Sequence, residues 1–174
     1  QFEKGISGFE IARSISEGLA RNAISIVANG KTIELMRPIE EDSTIKICTW
    51  NDPEGKATFW HSSAHLMAEA IEILYPGAKF GIGPDIENGF YYDIDFMDYT
   101  VTPEDFENIE QKFMELAAQK QTFVRVEKSK AEALAYFQAK GDEYKLELIN
   151  DLEDGTITFY QTGQFTDLCR GPHL

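Results

Sequence analysis

The chain has 174 residues, 43% of them hydrophobic, which suits one large or two small folded domains and excludes a disordered polymer. No apolar run approaches the ~20 residues needed to cross a membrane, and two cysteines, Cys48 and Cys169, make no disulfide framework and suit a reducing cytoplasm. With 16 basic against 30 acidic residues the net charge is −14, which argues against a fragment that grips nucleic acid by neutralising phosphates.

The start, Gln1-Phe2-Glu3-Lys4, is polar, carries no signal peptide and lacks an initiator Met, so the chain reads as a piece of a longer protein. Gly8 to Ile15 forms a short helix with Phe9, Ala12 and Ile15 on one stripe, expected to stop near Gly18. Ser25–Ala28 and Lys31–Leu35 flank Asn29-Gly30, whose residue types supply the positive φ angles of a type I′ hairpin turn. Pro38 to Ser43 is a polar turn, and Thr44 to Cys48 is a closing strand. Helix, hairpin and strand are parts of a β-grasp, or ubiquitin-like, sheet whose first hairpin would lie mostly before Gln1. The bland reading is any small α+β module, and nothing catalytic stands in it.

Asn51 to Gly55 has linker composition. His61 to Tyr75 is predicted as a helix with apolar residues on more than one face, hence largely buried, ended by Pro76-Gly77. Gly81-Ile82-Gly83-Pro84 is a tight loop that matches neither phosphate-loop nor dinucleotide spacing and reads as a backbone wall. After the Asn88-Gly89 turn, Phe90 to Phe96 alternates, with Phe90, Tyr92, Ile94 and Phe96 on one face. Thr102 caps and Pro103 opens a helix to about Lys120, striped by Phe106, Ile109, Phe113 and Leu116. Thr122–Val126 is a strand, and Ser129-Lys130-Ala131-Glu132 is the capping box of a helix ending at Lys140-Gly141. Asp142 to Leu152 is mixed, and an Asp154-Gly155 turn leads into a strand over Thr156–Tyr160. The expected class is α+β: a small β-grasp domain over 1–49, a linker at 50–55, and a larger α+β domain over 56–174 with a mainly antiparallel sheet and packed helices.

Two stretches carry chemistry. His61-Ser62-Ser63-Ala64-His65 and Cys169-Arg170-Gly171-Pro172-His173 hold all three histidines of the chain, each pair at a four-residue spacing. On a helix, i and i+4 share a face. Four such groups meeting in one pocket could bind a metal or form an acid–base cluster around a water. The bland reading is an accidental histidine pair on a surface helix. A buried helix with two histidines needs partners for their ring nitrogens, which points to a polar pocket.

The first stretch, Gly81-Ile-Gly-Pro-Asp-Ile-Glu-Asn-Gly-Phe-Tyr-Tyr-Asp-Ile-Asp95, and Asp167-Leu-Cys-Arg-Gly-Pro-His173 together resemble the amino-terminal region of bacterial threonyl-tRNA synthetases, over essentially the whole chain. The unit at 1–49 is similar to their TGS domain, and 56–174 to their editing domain, cut short at its C-terminus. The resemblance implies hydrolysis of mischarged seryl-tRNA(Thr). It places His61, His65, Lys145, Asp167, Cys169 and His173 on the family's editing site. His61 and Lys145 would hold the water and handle its proton; Asp167 would orient Lys145 or the seryl amino group. His65, Cys169 and His173 would shape the pocket, and Tyr92 and the Gly83 backbone would line the adenosine or seryl side. Lys145 enters on the resemblance alone, since a lone helical lysine is usually solvated.

The resemblance further implies no metal and no cofactor here; ATP, Mg and Zn belong to a synthetase core that this sequence lacks. The implied partner is the tRNA(Thr) 3′ end carrying serine, with most tRNA grip elsewhere in the parent enzyme. A cytoplasmic, monomeric fragment of a homodimeric parent is expected. Two other readings stay open. One is a zinc-dependent deacylase of the alanyl type, with His61, His65, Cys169 and His173 as ligands. The other is a non-catalytic TGS-containing binding module.

Overall fold

The computed structural model describes residues 2–153 and 155–174, so Asp154 of the predicted Asp154-Gly155 turn lies outside the described residues. The chain opens with α1 (Gly8–Ile15), α2 (Glu17–Asn22), β1 (Ala23–Ala28), β2 (Lys31–Glu34) and β3 (Ile45–Thr49). A long helix α3 (Pro53–Leu74) follows, then four two-residue strands, β4 (Lys79–Phe80), β5 (Asp85–Ile86), β6 (Gly89–Phe90) and β7 (Ile94–Asp95). The rest is α4 (Pro103–Gln119), β8 (Val124–Ser129), α5 (Lys130–Lys140), α6 (Glu143–Asn150), β9 (Thr156–Thr162) and β10 (Phe165–Leu168). The class is α+β, and every registered strand pair is antiparallel. Contacts divide the chain into two compact bodies, one of residues 2–62, 85–89 and 171–174, the other of 63–84 and 90–170. The division falls within α3 and does not follow the 50–55 boundary read from composition.

In the first body a reciprocal capping box between Ser7 and Glu10 starts α1. The helix does not run on to Gly18 as predicted. Ser16 ends it by donating its N–H to the Ala12 carbonyl, and its hydroxyl accepts from the Leu19 N–H to start α2. Asn29 and Gly30 take φ of 48° and 82°, the expected hairpin turn. β1 lies between β2 and β3, with Ile26 opposite both Ile33 and Ile47. Ile11, Ile26 and Ile39 form the core beneath. Part of the predicted linker is already helix. Asp52 Oδ2 accepts from the Thr49 N–H at 2.8 Å and from its hydroxyl at 3.1 Å, which folds the chain straight into α3 at Pro53.

The second body is built on the sheet β10-β9-β8. Ala133 and Phe137 of α5 and Ile149 of α6 pack with Ile157 and Phe159 of β9. Full burial of each large side chain is worth about 1.5–3 kcal/mol. A second cluster joins Ala68 and Ile71 of α3 to Phe80 and Phe165. The caps of α4 and α5 form where predicted, and Gly141 closes α5 in the left-handed conformation. Three expectations need correction, and one strand was not foreseen. Residues 90–96 are not one strand, because only Ile94 and Asp95 pair with β4; Asp93 accepts the Gly81 N–H in the same register but donates its own N–H to the Ile82 carbonyl, one position off, where the ladder ends. The mixed stretch after Asp142 is helix α6, and 165–168 form a strand. Phe106 is exposed, because the first turn of α4 turns Asp105 inward instead, where Tyr75 and Tyr99 donate to its carboxylate.

Candidate functional site

In the second body, Lys145 stands in the first turn of α6, whose N-cap Asp142 accepts its backbone N–H at 3.1 Å. Its side chain turns inward. The ammonium lies 2.7 Å from Asp167 Oδ1 and donates to the Gly81 carbonyl at 2.8 Å. Lys145 is 2% exposed and Asp167 3%, unlike the usual solvated helical lysine. The Tyr92 hydroxyl donates to Asp167 Oδ2 at 2.5 Å, and the Leu168 N–H donates to Oδ1 at 2.8 Å. His65 Nε2 is 3.9 Å from Oδ2. Around His65 stand the rings of Phe165, Phe123 and Tyr92, with centroids 5.9, 6.4 and 6.5 Å away.

These contacts set the charges. Burial alone would raise the Asp167 carboxyl; the Lys145 ammonium, then His65, the Lys145 hydrogen bond and the Tyr92 hydroxyl outweigh it and hold the group below its ordinary value. Burial, and next the Asp167 charge, push the Tyr92 phenol well above its ordinary value, so it acts as a hydrogen-bond donor. Gly83 is explained by the same ring: a Cβ there would sit 2.4 Å from Tyr92 Cδ2. Its place in the loop lets the backbone lie against the Tyr92 face. Cys169 follows β10, and its backbone is pinned to Thr158, accepting the hydroxyl at 2.5 Å and donating N–H at 3.1 Å. A pocket of about 160 Å³ reaches Asp167 between Phe80, Phe165, Lys140 and Asp142. A wider cleft of about 570 Å³ is walled by Asp93, Asp95, Glu147 and Asp151 and holds none of the predicted site residues.

In the first body, His61 and His173 stack with centroids 4.3 Å apart and planes 36° from parallel. His173 is wholly buried. Its Nδ1 is 3.2 Å from the Ser62 hydroxyl, which also bonds to the Thr58 carbonyl at 2.8 Å and accepts the Leu174 N–H at 3.0 Å. His61 opens onto a cleft of about 330 Å³ shared with Thr32, Glu54, Asp85 and Pro172. The predicted residues therefore fall into two sets: His65, Tyr92, Lys145, Asp167, Cys169 and Gly83 in one body, His61 and His173 in the other. Their three imidazoles and one thiol are zinc-type donors. The sequence reading missed Asp142, the Gly81 carbonyl, Thr158 and Ser62. Only Asp142 had a local signal, an N-cap residue directly after the Gly141 helix stop.

Residues 1–49 match the TGS domain family. Over its full 174 residues the chain is 60% identical to a threonine–tRNA ligase of Cytophaga hutchinsonii. It is 54% identical to that of Parabacteroides distasonis and 52% to that of Bacteroides thetaiotaomicron, again across the whole chain. In each case it spans 27% of the relative's length.

Proposed function

We propose that this TGS-containing segment, related along its whole length to threonine–tRNA ligases, is a proofreading hydrolase acting on seryl-tRNA(Thr). The observation that carries the reading is the buried Lys145–Asp167 pair with Tyr92 and His65 around it. Removing two charges from water costs several kcal/mol per ion before they meet, and perturbed, desolvated ionisable groups cluster at reactive sites. The parent enzyme would join threonine to tRNA(Thr) with ATP. Serine is threonine less one methyl, and a missing methyl gives a synthetic site only roughly 10–200-fold discrimination. A second site that hydrolyses the serine ester supplies the rest.

The reaction adds water across the ester carbonyl at the terminal adenosine and returns the ribose hydroxyl. The Lys145 ammonium has three donors; Gly81 and Asp167 take two, and the third serves the developing oxyanion or holds the water. Asp167 fixes the ammonium's direction and is itself fixed by Tyr92 and Leu168. His61 takes and returns the water's proton. His65, Cys169 and His173 form the pocket around the seryl group, with Tyr92 and the Gly83 backbone as its wall.

The reading includes a tRNA 3′ end as partner, a cytoplasmic setting, a monomeric segment and no metal. With net charge −14 the chain alone would bind tRNA weakly, the main grip residing elsewhere in the longer enzyme. The test is hydrolysis of seryl- and threonyl-tRNA(Thr), side by side, by the chain and by His61→Ala. Selective loss of the seryl ester, abolished in the variant, is expected; equal loss of both esters or an unaffected variant overturns the assignment. The imidazole and thiol donors favour one rival, a zinc deacylase. Zinc at one per chain, with activity that chelation removes and zinc restores, would establish that rival.

A further inference from the structure

We infer that Ser62 is a positioning residue that fixes the protonation pattern of His173, holding the proton on Nδ1 and leaving Nε2 as the acceptor. A serine hydroxyl has one hydrogen and two lone pairs, and Ser62 Oγ has three neighbours. The Leu174 backbone N–H, 3.0 Å away, can only donate to it. The Thr58 carbonyl, 2.8 Å away, can only accept. Two oxygens at 2.8 Å with no hydrogen between them repel, so the Ser62 hydrogen goes to Thr58. One lone pair then remains for His173 Nδ1 at 3.2 Å, and Nδ1 must carry the hydrogen.

In the neutral ring this leaves the lone pair on Nε2. That is the less usual form, set by a hydrogen bond to the opposite nitrogen. His173 has no exposed surface, so water does not compete for the choice. The stack with the His61 ring limits rotation about the Cβ bond. Whatever meets Nε2 must be a donor: in the proposed reaction the seryl ammonium or hydroxyl, or the water. The purpose of the device rests on the hydrolase reading, but the protonation pattern does not.

The test is nitrogen-15 NMR of the imidazoles in the 174-residue chain at about pH 8, above the ordinary imidazole range. Only three histidines need assignment. The expected result is a His173 ring with protonated Nδ1 and unprotonated Nε2. Ser62→Ala should move His173 toward the Nε2-protonated form, Ser62→Thr should restore the original form, and seryl-ester hydrolysis should follow with a loss of about 10²-fold in the alanine variant. Nε2–H in the wild-type chain, or no change on Ser62→Ala, overturns the inference. If Ser62→Ala does not fold, the wild-type spectrum decides alone. Correct protonation without any hydrolysis would sink the hydrolase reading and leave this one standing.

Discussion

Lys145→Ala should be among the costliest single changes in the chain, and its cost should depend on pH in a defined direction. The variant leaves Asp167 buried at 3% exposure with the Tyr92 hydroxyl and Leu168 N–H but no cation. Removing one partner of a buried pair typically costs about 3–5 kcal/mol; at about 2 kcal/mol per M of urea, that moves the unfolding midpoint down by about 1.5–2.5 M. In the wild-type chain the folded Asp167 titrates below its ordinary value of 3.8, so its stabilisation is present above that value and lost as the pH falls through the depressed one. Without Lys145, burial dominates and Asp167 titrates above its ordinary value. The variant is then penalised as pH rises through that raised value. The gap between the two proteins should be widest near neutral pH and close toward pH 4. Urea titrations at several pH values read it out. A gap below about 1 kcal/mol, the size of a surface pair, or one that widens in acid, would refute the reasoning. Lys145→Met with Asp167→Leu should cost less than the two single changes summed, because no lone charge remains.

Gly83→Ala should displace the Tyr92 ring, at about 1–3 kcal/mol of overpacking in thermal unfolding, and should slow seryl hydrolysis by loosening the Tyr92–Asp167 bond. Asp105 is held down to about 2 by the Thr102 backbone N–H first, then by the Tyr99 and Tyr75 hydroxyls. Its stabilisation should persist above 3.8 and disappear as the pH falls toward 2, and Asp105→Asn should flatten that acid limb. Glu69 is buried at the β9–β10 turn with its carboxyl raised, first by desolvation, so it destabilises the fold as pH rises through the raised value. Glu69→Gln should therefore raise the melting temperature at neutral pH and lose that advantage near pH 4.

What was legible in the sequence was local. Asn29-Gly30, Thr102-Pro103 and Ser129–Glu132 announce a turn and two helix starts within four residues, and all three form. Ile26, Ile33 and Ile47, one in each of the three strands read from the sequence, meet in one core, with Ile26 fully buried. The site depended on distant partners. Lys145 meets a carbonyl 64 residues away, and Tyr92 meets a carboxylate 75 residues away. No window around Lys145 distinguishes it from a solvated lysine; the resemblance supplied it and the fold explains it. The stripe of α4 holds at Ile109, Phe113 and Leu116 and departs only at its first position, where the Asp105 carboxylate accepts from Tyr75, Tyr99 and Thr102 and Phe106 has no acceptor for them. The composition of Asn51–Gly55 suggested a linker because Asp, Pro and Gly also start helices. Ser62 sat in plain view within the histidine motif, but its role required knowing that His173 and Leu174 return to it from 111 and 112 residues away.

The central claim is that this segment removes serine and spares threonine. It is tested most directly by placing the 174-residue chain in excess over a seryl- or threonyl-charged acceptor minihelix, with chelator present, and following ester loss in a single turnover. The account predicts rapid loss of the seryl ester, loss of the threonyl ester at the uncatalysed rate, and no seryl hydrolysis by Lys145→Ala. Uncatalysed rates for both esters at saturating protein, or full activity in the variant, would contradict it.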